Sequence, residues 1–300
     1  MVQLSNSGRV VTVIAVSQGD IFIANPGDTD WTMATNNTGE SPPLNFTGII
    51  YSTSCIQKQW FVDGINYVTY DPHTNIATLW EATAGVMPYD EDDNAARIIC
   101  TWRGRIVVSG LVLDPQNWFM SAVDDPTDWD YSPLSTTPTQ AIAGNNAPMG
   151  LIGDVITALI PYSDDVLIFG GDHTIYMMSG DPMFGGQINL VSDSIGMAFG
   201  IPWCKDPYGT VYFFSNRCGI YTLVPGQLPQ RISQQIEQLL QELDTGLNSI
   251  RMIWGDRFQG LHVFVTPIEE PGPTTHFFYE KRTGAWWTDN FANHDHDPLC

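Results

Sequence analysis

The sequence predicts an all-β fold, a β-propeller of about six blades with one amphipathic helix inserted, and three observations carry that expectation. A fragment is echoed 98 residues apart: Ala24-x4-Thr29-Asp30-Trp31 returns as Ala122-x4-Thr127-Asp128-Trp129, each copy following a short apolar run. That spacing is two units of 49, close to the roughly 40 to 50 residues of one four-stranded blade. Short runs rich in Val, Ile, Tyr, Phe and Thr recur from end to end between turn residues. The chain is also 43% hydrophobic and only 15% charged, with 10 Trp, 11 Tyr and 14 Phe spread along its length, enough to bury a large core. Asp and Thr favour turns, so an Asp-Trp turn also recurs by chance. The apolar run before each copy is what favours a true repeat.

Taken in order, the strand runs fall at 10–16, 21–24, 59–62, 66–70, 76–80, 97–102, 105–109 and 118–122. They continue at 155–160, 166–169, 174–178, 210–214, 219–223, 251–254, 261–265, 276–279 and 285–288. The gaps are tight turns such as Gly19-Asp20, Asp63-Gly64, Arg103-Gly104 and Thr283-Gly284. This is the rhythm of antiparallel meanders, and it predicts one propeller domain over 1–300. Two regions break it. The stretch 132–149 is dense in Ser, Thr, Pro, Gly and Asn and reads as a long surface loop. The stretch 232–243 places Ile232, Ile236, Leu239, Leu240 and Leu243 on one helical stripe, with Ser233 to cap its start and Gly246 to end it. That stripe either packs on its own domain or docks against another subunit, which makes its five residues candidates for an assembly interface.

Acidic residues outnumber basic ones 33 to 12, for a net charge of -21. With the Lys and Arg scattered, such a chain does not grip DNA, RNA or an anionic membrane surface. Five cysteines, an odd set without a CxxC pair, read as reduced thiols of a protein folded in a cytoplasm. The start of the chain lacks a signal-peptide pattern, and no apolar run approaches a membrane span. Asn36 and Asn45 match the glycosylation pattern by chance.

No phosphate-binding glycine loop, HExxH, GxSxG or paired CxxC occurs, so neither an enzyme nor a cofactor is expected. Asp90, Asp92 and Asn94 match the first ligand spacings of a calcium loop, but Ala95 and Thr101 stand where Gly and Glu belong, which excludes an EF-hand. A simpler cation site at 90–93 or 124–130 competes with ordinary acidic turns. His294 and His296 read as a polar tail rather than a metal site.

Several segments in order resemble the β-propeller tail nozzle, or tail tubular, proteins of short-tailed bacteriophages. They are Gly153-Asp-Val-Ile-Thr-Ala-Leu-Ile-Pro-Tyr162, Asp165-Val-Leu-Ile-Phe169, His173-Thr-Ile-Tyr176, Ser179-Gly-Asp-Pro182, Thr210-Val-Tyr-Phe-Phe-Ser215, Gly219-Ile-Tyr221 and Arg231-Ile-Ser233. Upstream, Arg103-Gly-Arg-Ile-Val-Val-Ser109, Trp118-Phe-Met-Ser121 and Asp125-Pro-Thr-Asp-Trp129 fit the same pattern, so the likeness covers 97–265. The resemblance implies a virion tail protein that self-associates as a ring, expected as a hexamer, beside portal, adaptor and other tail proteins. Genome DNA would pass through the ring without specific binding, and Asp164 and Asp165 become candidates for lining that channel. The rival reading is a carbohydrate-binding, lectin-like propeller or a glycan-active one, in which exposed Trp would suit stacking against sugar.

Overall fold

The computed structural model describes residues 2–5, 11–17, 20–25, 28–35, 49–132, 139–147, 149–268 and 274–289. The fold is an all-β, six-bladed β-propeller: among the described residues, six four-stranded sheets follow one another along the chain, each in simple meander order. The first holds β1 (Val2–Ser5), β2 (Val11–Ser17), β3 (Asp20–Ala24) and β4 (Thr32–Met33). The second holds β5 (Tyr51–Cys55), β6 (Lys58–Val62), β7 (Tyr67–Asp71) and β8 (Ile76–Leu79), and β9 (Ala84–Gly85) follows it. The third holds β10 (Ile98–Trp102), β11 (Arg105–Ser109), β12 (Trp118–Met120) and, after β13 (Asp128–Trp129), β14 (Ile142–Ala143).

The fourth sheet is β15 (Ile156–Ser163), β16 (Val166–Gly171), β17 (Ile175–Asp181) and β18 (Phe184–Ser192). The fifth is β19 (Trp203–Lys205), β20 (Val211–Ser215), β21 (Gly219–Leu223) and β22 (Gln230–Arg231). The sixth is β23 (Asn248–Gly255), β24 (Gly260–Pro267), β25 (Thr275–Glu280) and β26 (Ala285–Asp289). Their first strands begin at residues 2, 51, 98, 156, 203 and 248, steps of 49, 47, 58, 47 and 45. The echo lands in the same connection, between third and fourth strands, of the first and third sheets.

The chain divides into two compact units, Met1–Gly153 with Ser163–Leu167 and Ser179–Ile188, and Asp154–Tyr162 with Ile168–Met178 and Asn189–Cys300. In the first unit, Ile14 and Ile21 of the first sheet pack on Phe61, Val68, Tyr70 and Ala77 of the second. A ladder of rings follows: Trp60 and Trp80 stand 4.7 Å apart, Trp80 and Trp129 5.6 Å, and Trp129 and Tyr131 6.4 Å. The indole N–H groups of Trp80 and Trp129 both donate to the carbonyl of Pro126, at 2.9 and 3.0 Å. β13 runs parallel to β9, which is how the second copy of the echo is drawn inward. Trp129 is fully buried while Trp31 is 47% exposed.

Second strands such as β11 and β20 are buried at every position, so they read as continuous apolar runs rather than as alternating ones. In the second unit, Tyr212, Phe214 and Ile220 of the fifth sheet meet Ile250, Met252, Leu261, Val263 and Phe277 of the sixth.

Two expectations are corrected here. The stretch 132–149, read as a surface loop, has 133–138 and 148 outside the described residues, but its short apolar run Ala141-Ile142-Ala143 is buried and supplies β14. That run pairs Phe119 with Ala143 and Met120 with Ile142 and so forms the fourth strand of its sheet. Only Gly fits next: a Cβ at Gly144 would lie 2.7 Å from both Asn117 Oδ1 and Trp118 Nε1. The helix is shorter than 232–243, consisting of a 3-10 turn at Gln234–Ile236 and α1 (Glu237–Gln241). Ser233 does not cap it, because its hydroxyl accepts instead from the Ile220 amide at 3.0 Å and so ties the segment to β21.

The acidity of the chain has a structural origin. Asp63, Asp71, Asp90, Asp125, Asp181 and Asp206 each accept backbone N–H bonds from residues two to four positions on. These are Asx turns, so these six of the 33 acidic residues serve to make turns. No described helix is long and apolar enough to cross a membrane.

Candidate functional site

The turn 206–210 between β19 and β20 is built around a carboxylate with every acceptor position used. Asp206 Oδ1 accepts the amides of Tyr208 and Thr210 at 2.9 and 2.8 Å. Its Oδ2 accepts the Lys281 ammonium at 2.5 Å and the Tyr212 hydroxyl at 3.3 Å. Burial works to raise this carboxyl, but the Lys281 ammonium and the two amides outweigh it and hold Asp206 below the ordinary carboxylate range. Tyr212 is driven the other way, chiefly by burial and then by the neighbouring Asp206 charge. The group is therefore an ionised carboxylate beneath a phenol that keeps its proton.

Around this anchor lies a set of rings. Lys281 Nζ sits 4.8 Å from the centroid of Tyr208 and 5.6 Å from that of Trp254, and Trp254 stacks on Tyr212 at 5.5 Å. Tyr208 is 75% exposed. Its backbone is nevertheless fixed, because Gly209 N–H donates to Asp206 O, and the Gly209 carbonyl accepts the Tyr162 hydroxyl at 2.9 Å. Gly209 has φ +88°, and a Cβ there would lie 2.9 Å from the Tyr162 oxygen, so the turn demands glycine. Lys205, at the end of β19, donates to the Tyr162 carbonyl at 2.8 Å and lies 5.2 Å from the Tyr162 ring centroid.

In the sixth sheet the turns 256–259 and 281–284 stand at the same end, as alternate turns of a meander must, and Lys281 N–H joins them by donating to Gln259 O. They carry Arg257, whose guanidinium lies 5.5 Å from the centroid of the Phe258 ring, and Arg282, which pairs with Glu280 at 3.2 Å. The result is an end with exposed rings and cations, suited to stacking and charge-assisted hydrogen bonding.

A second polar cluster of this unit lies around Asp154, whose carboxylate accepts the amides of Val155, His173 and Thr174 and the Thr174 hydroxyl. Burial opposes these bonds, yet together they hold the Asp154 carboxyl below its ordinary range. Asp172 accepts from Asn216 Nδ2 and pairs with His173 Nδ1 at 2.9 Å. Through these bonds Asp154 clasps the turn that carries His173 and Thr174.

The residues expected from sequence fall elsewhere. Ile236 and Leu240 are buried, and Ile232 and Leu243 pack against the same core, so four of the five stripe residues are taken up inside their own unit. Leu239 remains 45% exposed. Asp164 and Asp165 occupy the exposed turn between β15 and β16, where Arg103 Nη1 reaches the Asp164 carbonyl at 3.2 Å and the Asp165 carboxylate at 3.5 Å. Asp90 is turned onto the amides of Asp92, Asn94 and Leu113. The described residues contain no group of three or more metal-ligating side chains. His294, His296, Asn36 and Asn45 lie outside the described residues. The four described cysteines are free, and burial, with a smaller push from Asp206, drives Cys204 up to about 12.

Sequence reasoning missed the site at Asp206, Tyr208, Trp254 and Lys281. Two signals were present: Lys281-Arg282, two adjacent cations in a chain poor in them, and Asp206-Pro-Tyr-Gly209, a turn with an aromatic residue at its tip.

No family model and no curated protein matches the chain. Solved structures of like fold include the extracellular domain of a protein described as the hybrid two component system BT4673 from B. thetaiotaomicron, at TM-score 0.55 and 10% identity over 87% of this chain and 31% of that one. Another is the extracellular domain of the hybrid two component system BT3049 from the same organism, at TM-score 0.54 and 9% identity over 93% of this chain and 34% of that one. The chain thus spans about a third of the length of these proteins. Both are extracellular domains and not tail proteins, which overturns the resemblance to phage tail nozzles. The ring, portal and genome partners and the virion location lose the support that resemblance gave them. What the comparisons share with this chain is the β-propeller fold.

Proposed function

We propose that the chain is a saccharide-recognition module, a lectin-like propeller that binds and does not turn over its ligand. One observation carries this reading: the Tyr208 ring is 75% exposed, yet it stands on a turn fixed by a fully engaged buried carboxylate. Burying a mobile side chain on binding costs rotamer entropy, and a pre-ordered ring avoids part of that cost. A flat exposed ring with polar groups beside it is what a sugar ring stacks on, its C–H face on the aromatic and its hydroxyls toward donors and acceptors. The like-fold structures are extracellular domains, a setting that agrees with recognition of an outside ligand.

A glycan-active reading would need a carboxyl kept protonated near neutral pH to serve the leaving group. Asp154 and Asp206 are held in the opposite direction. The experiment is a glycan array followed by titration of the best ligand against the full chain and Tyr208→Ala. Loss of binding at an unchanged melting temperature is expected. Saccharide binding that survives Tyr208→Ala unchanged would move the site elsewhere, and turnover of the bound glycan would defeat the non-catalytic part.

A further inference from the structure

We propose that the turn end of the fifth and sixth sheets selects an anionic saccharide, one whose sugar rings carry carboxylate or sulfate groups. This rests on the saccharide-binding reading and adds to it a charge class. The chain has 33 acidic residues for 12 basic ones, and Lys58, Arg103, Arg231, Lys281 and Arg282 each pair with a carboxylate. Lys205 and Arg257 have no such partner among the described residues: one lies over the Tyr162 ring and the other over the Phe258 ring. Arg282, with its side chain 82% exposed, holds Glu280 at 3.2 Å. An exposed pair of that kind is worth little and is readily exchanged for a ligand anion. Lys281 completes the group, its charge shared between Asp206 and the Tyr208 and Trp254 rings.

Lys205 spends one donor on the Tyr162 carbonyl, whereas no described acceptor takes the Arg257 guanidinium beside the Phe258 ring. Arg257 then offers a planar fork to a carboxylate or sulfate, while the exposed faces of Tyr208 and Phe258, 75% and 60% exposed, offer platforms to the sugar rings between the charges. A neutral saccharide would use the rings and leave the cations without a role. Duplex DNA presents anions too, but its rings are stacked inside the helix and out of reach of these platforms, while the -21 charge of the chain opposes its approach.

The test titrates the full chain with an oligogalacturonate, a sulfated dextran oligosaccharide, a neutral dextran oligosaccharide and a short DNA duplex. At least one acidic saccharide should bind at least about tenfold more tightly than the neutral one, a difference of one decade in Kd. That margin should shrink as salt is raised. Arg257→Gln and Arg282→Gln should each reduce the margin without lowering the melting temperature, since both side chains are exposed. Equal binding of neutral and acidic saccharides overturns the charge class while leaving the saccharide reading intact. No binding of any saccharide removes both. Duplex DNA bound as tightly as the acidic saccharides reduces the site to general polyanion attraction and overturns the proposal. The sulfated and uronate arms tell which anion is preferred.

Discussion

Lys281 Nζ lies 2.5 Å from Asp206 Oδ2, joining the turn after β25 to the turn after β19 across two neighbouring sheets. The carboxylate side of this pair is wholly buried and the ammonium is 36% exposed. Replacing Asp206 by Asn leaves an oxygen for the two amides but sets an NH2 group against the Lys281 ammonium and the Tyr212 hydroxyl. Asp206→Asn is therefore expected to destabilise by about 1–3 kcal/mol, the cost of leaving buried polar groups underserved. Lys281→Met should cost more, since it leaves a wholly buried carboxylate without its counter-charge. Urea unfolding of both variants checks the order, and an Asp206→Asn variant as stable as the parent would show that the turn does not depend on the carboxylate.

Acid should act on the same groups. Asp154 and Asp206 are held below the ordinary carboxylate range in the folded chain. The unfolded chain therefore takes up their protons first, at about pH 3.9. The stability they contribute is complete above that value and is lost as pH falls through their lower folded values. The melting temperature should stay level through pH 7 to 5 as far as these groups are concerned, then fall below about pH 4. Asp206→Asn, less stable at neutral pH, should show a shallower acid decline.

The two copies of the echoed Asp-Trp fragment should respond very differently. Trp129 is 0% exposed, lies against Trp80 and donates to Pro126, so Trp129→Ala is expected to cost about 3–5 kcal/mol. Trp31 is 47% exposed. Its alanine variant should stay within about 0.5 kcal/mol of the parent. Chemical denaturation of the pair measures the contrast, and similar losses at both positions would contradict their burial.

Within the helical segment, neighbours divide the same way. Leu240 is fully buried against the fifth and sixth sheets, and Leu239 faces outward. Leu240→Asp should prevent folding of the second unit or sharply lower its melting temperature, because it buries a charge without a partner. Leu239→Asp should leave the circular dichroism and melting temperature close to those of the parent.

The fold was largely legible because blades are local. Each meander forms from one stretch of chain, so strand runs, tight turns and a step near 49 residues report it directly. The weak points were local too. The run 141–143 is only three residues long within a stretch dense in turn residues, and nothing but its pairing with β12 marks it as a strand. The stripe 232–243 shows helical periodicity, yet Ser233 is spent on β21 and leaves the start uncapped. The site was not legible for the opposite reason. Asp206 and Lys281 are 75 residues apart and belong to different sheets, so their meeting depends on how one blade packs on the next. The echo was visible in sequence, but that one copy is buried and the other exposed depends on the pairing of β9 with β13, two strands of two residues each.

Among the described residues, every four-stranded sheet is drawn from one uninterrupted stretch of chain. During synthesis, then, each sheet leaves the ribosome with all its hydrogen-bonding partners already made. At roughly 5 to 20 residues per second, a complete blade emerges about every 2 to 12 seconds, long compared with the microseconds in which a hairpin forms. The nascent protein should therefore grow blade by blade, each described sheet finding its neighbours within its own stretch of chain.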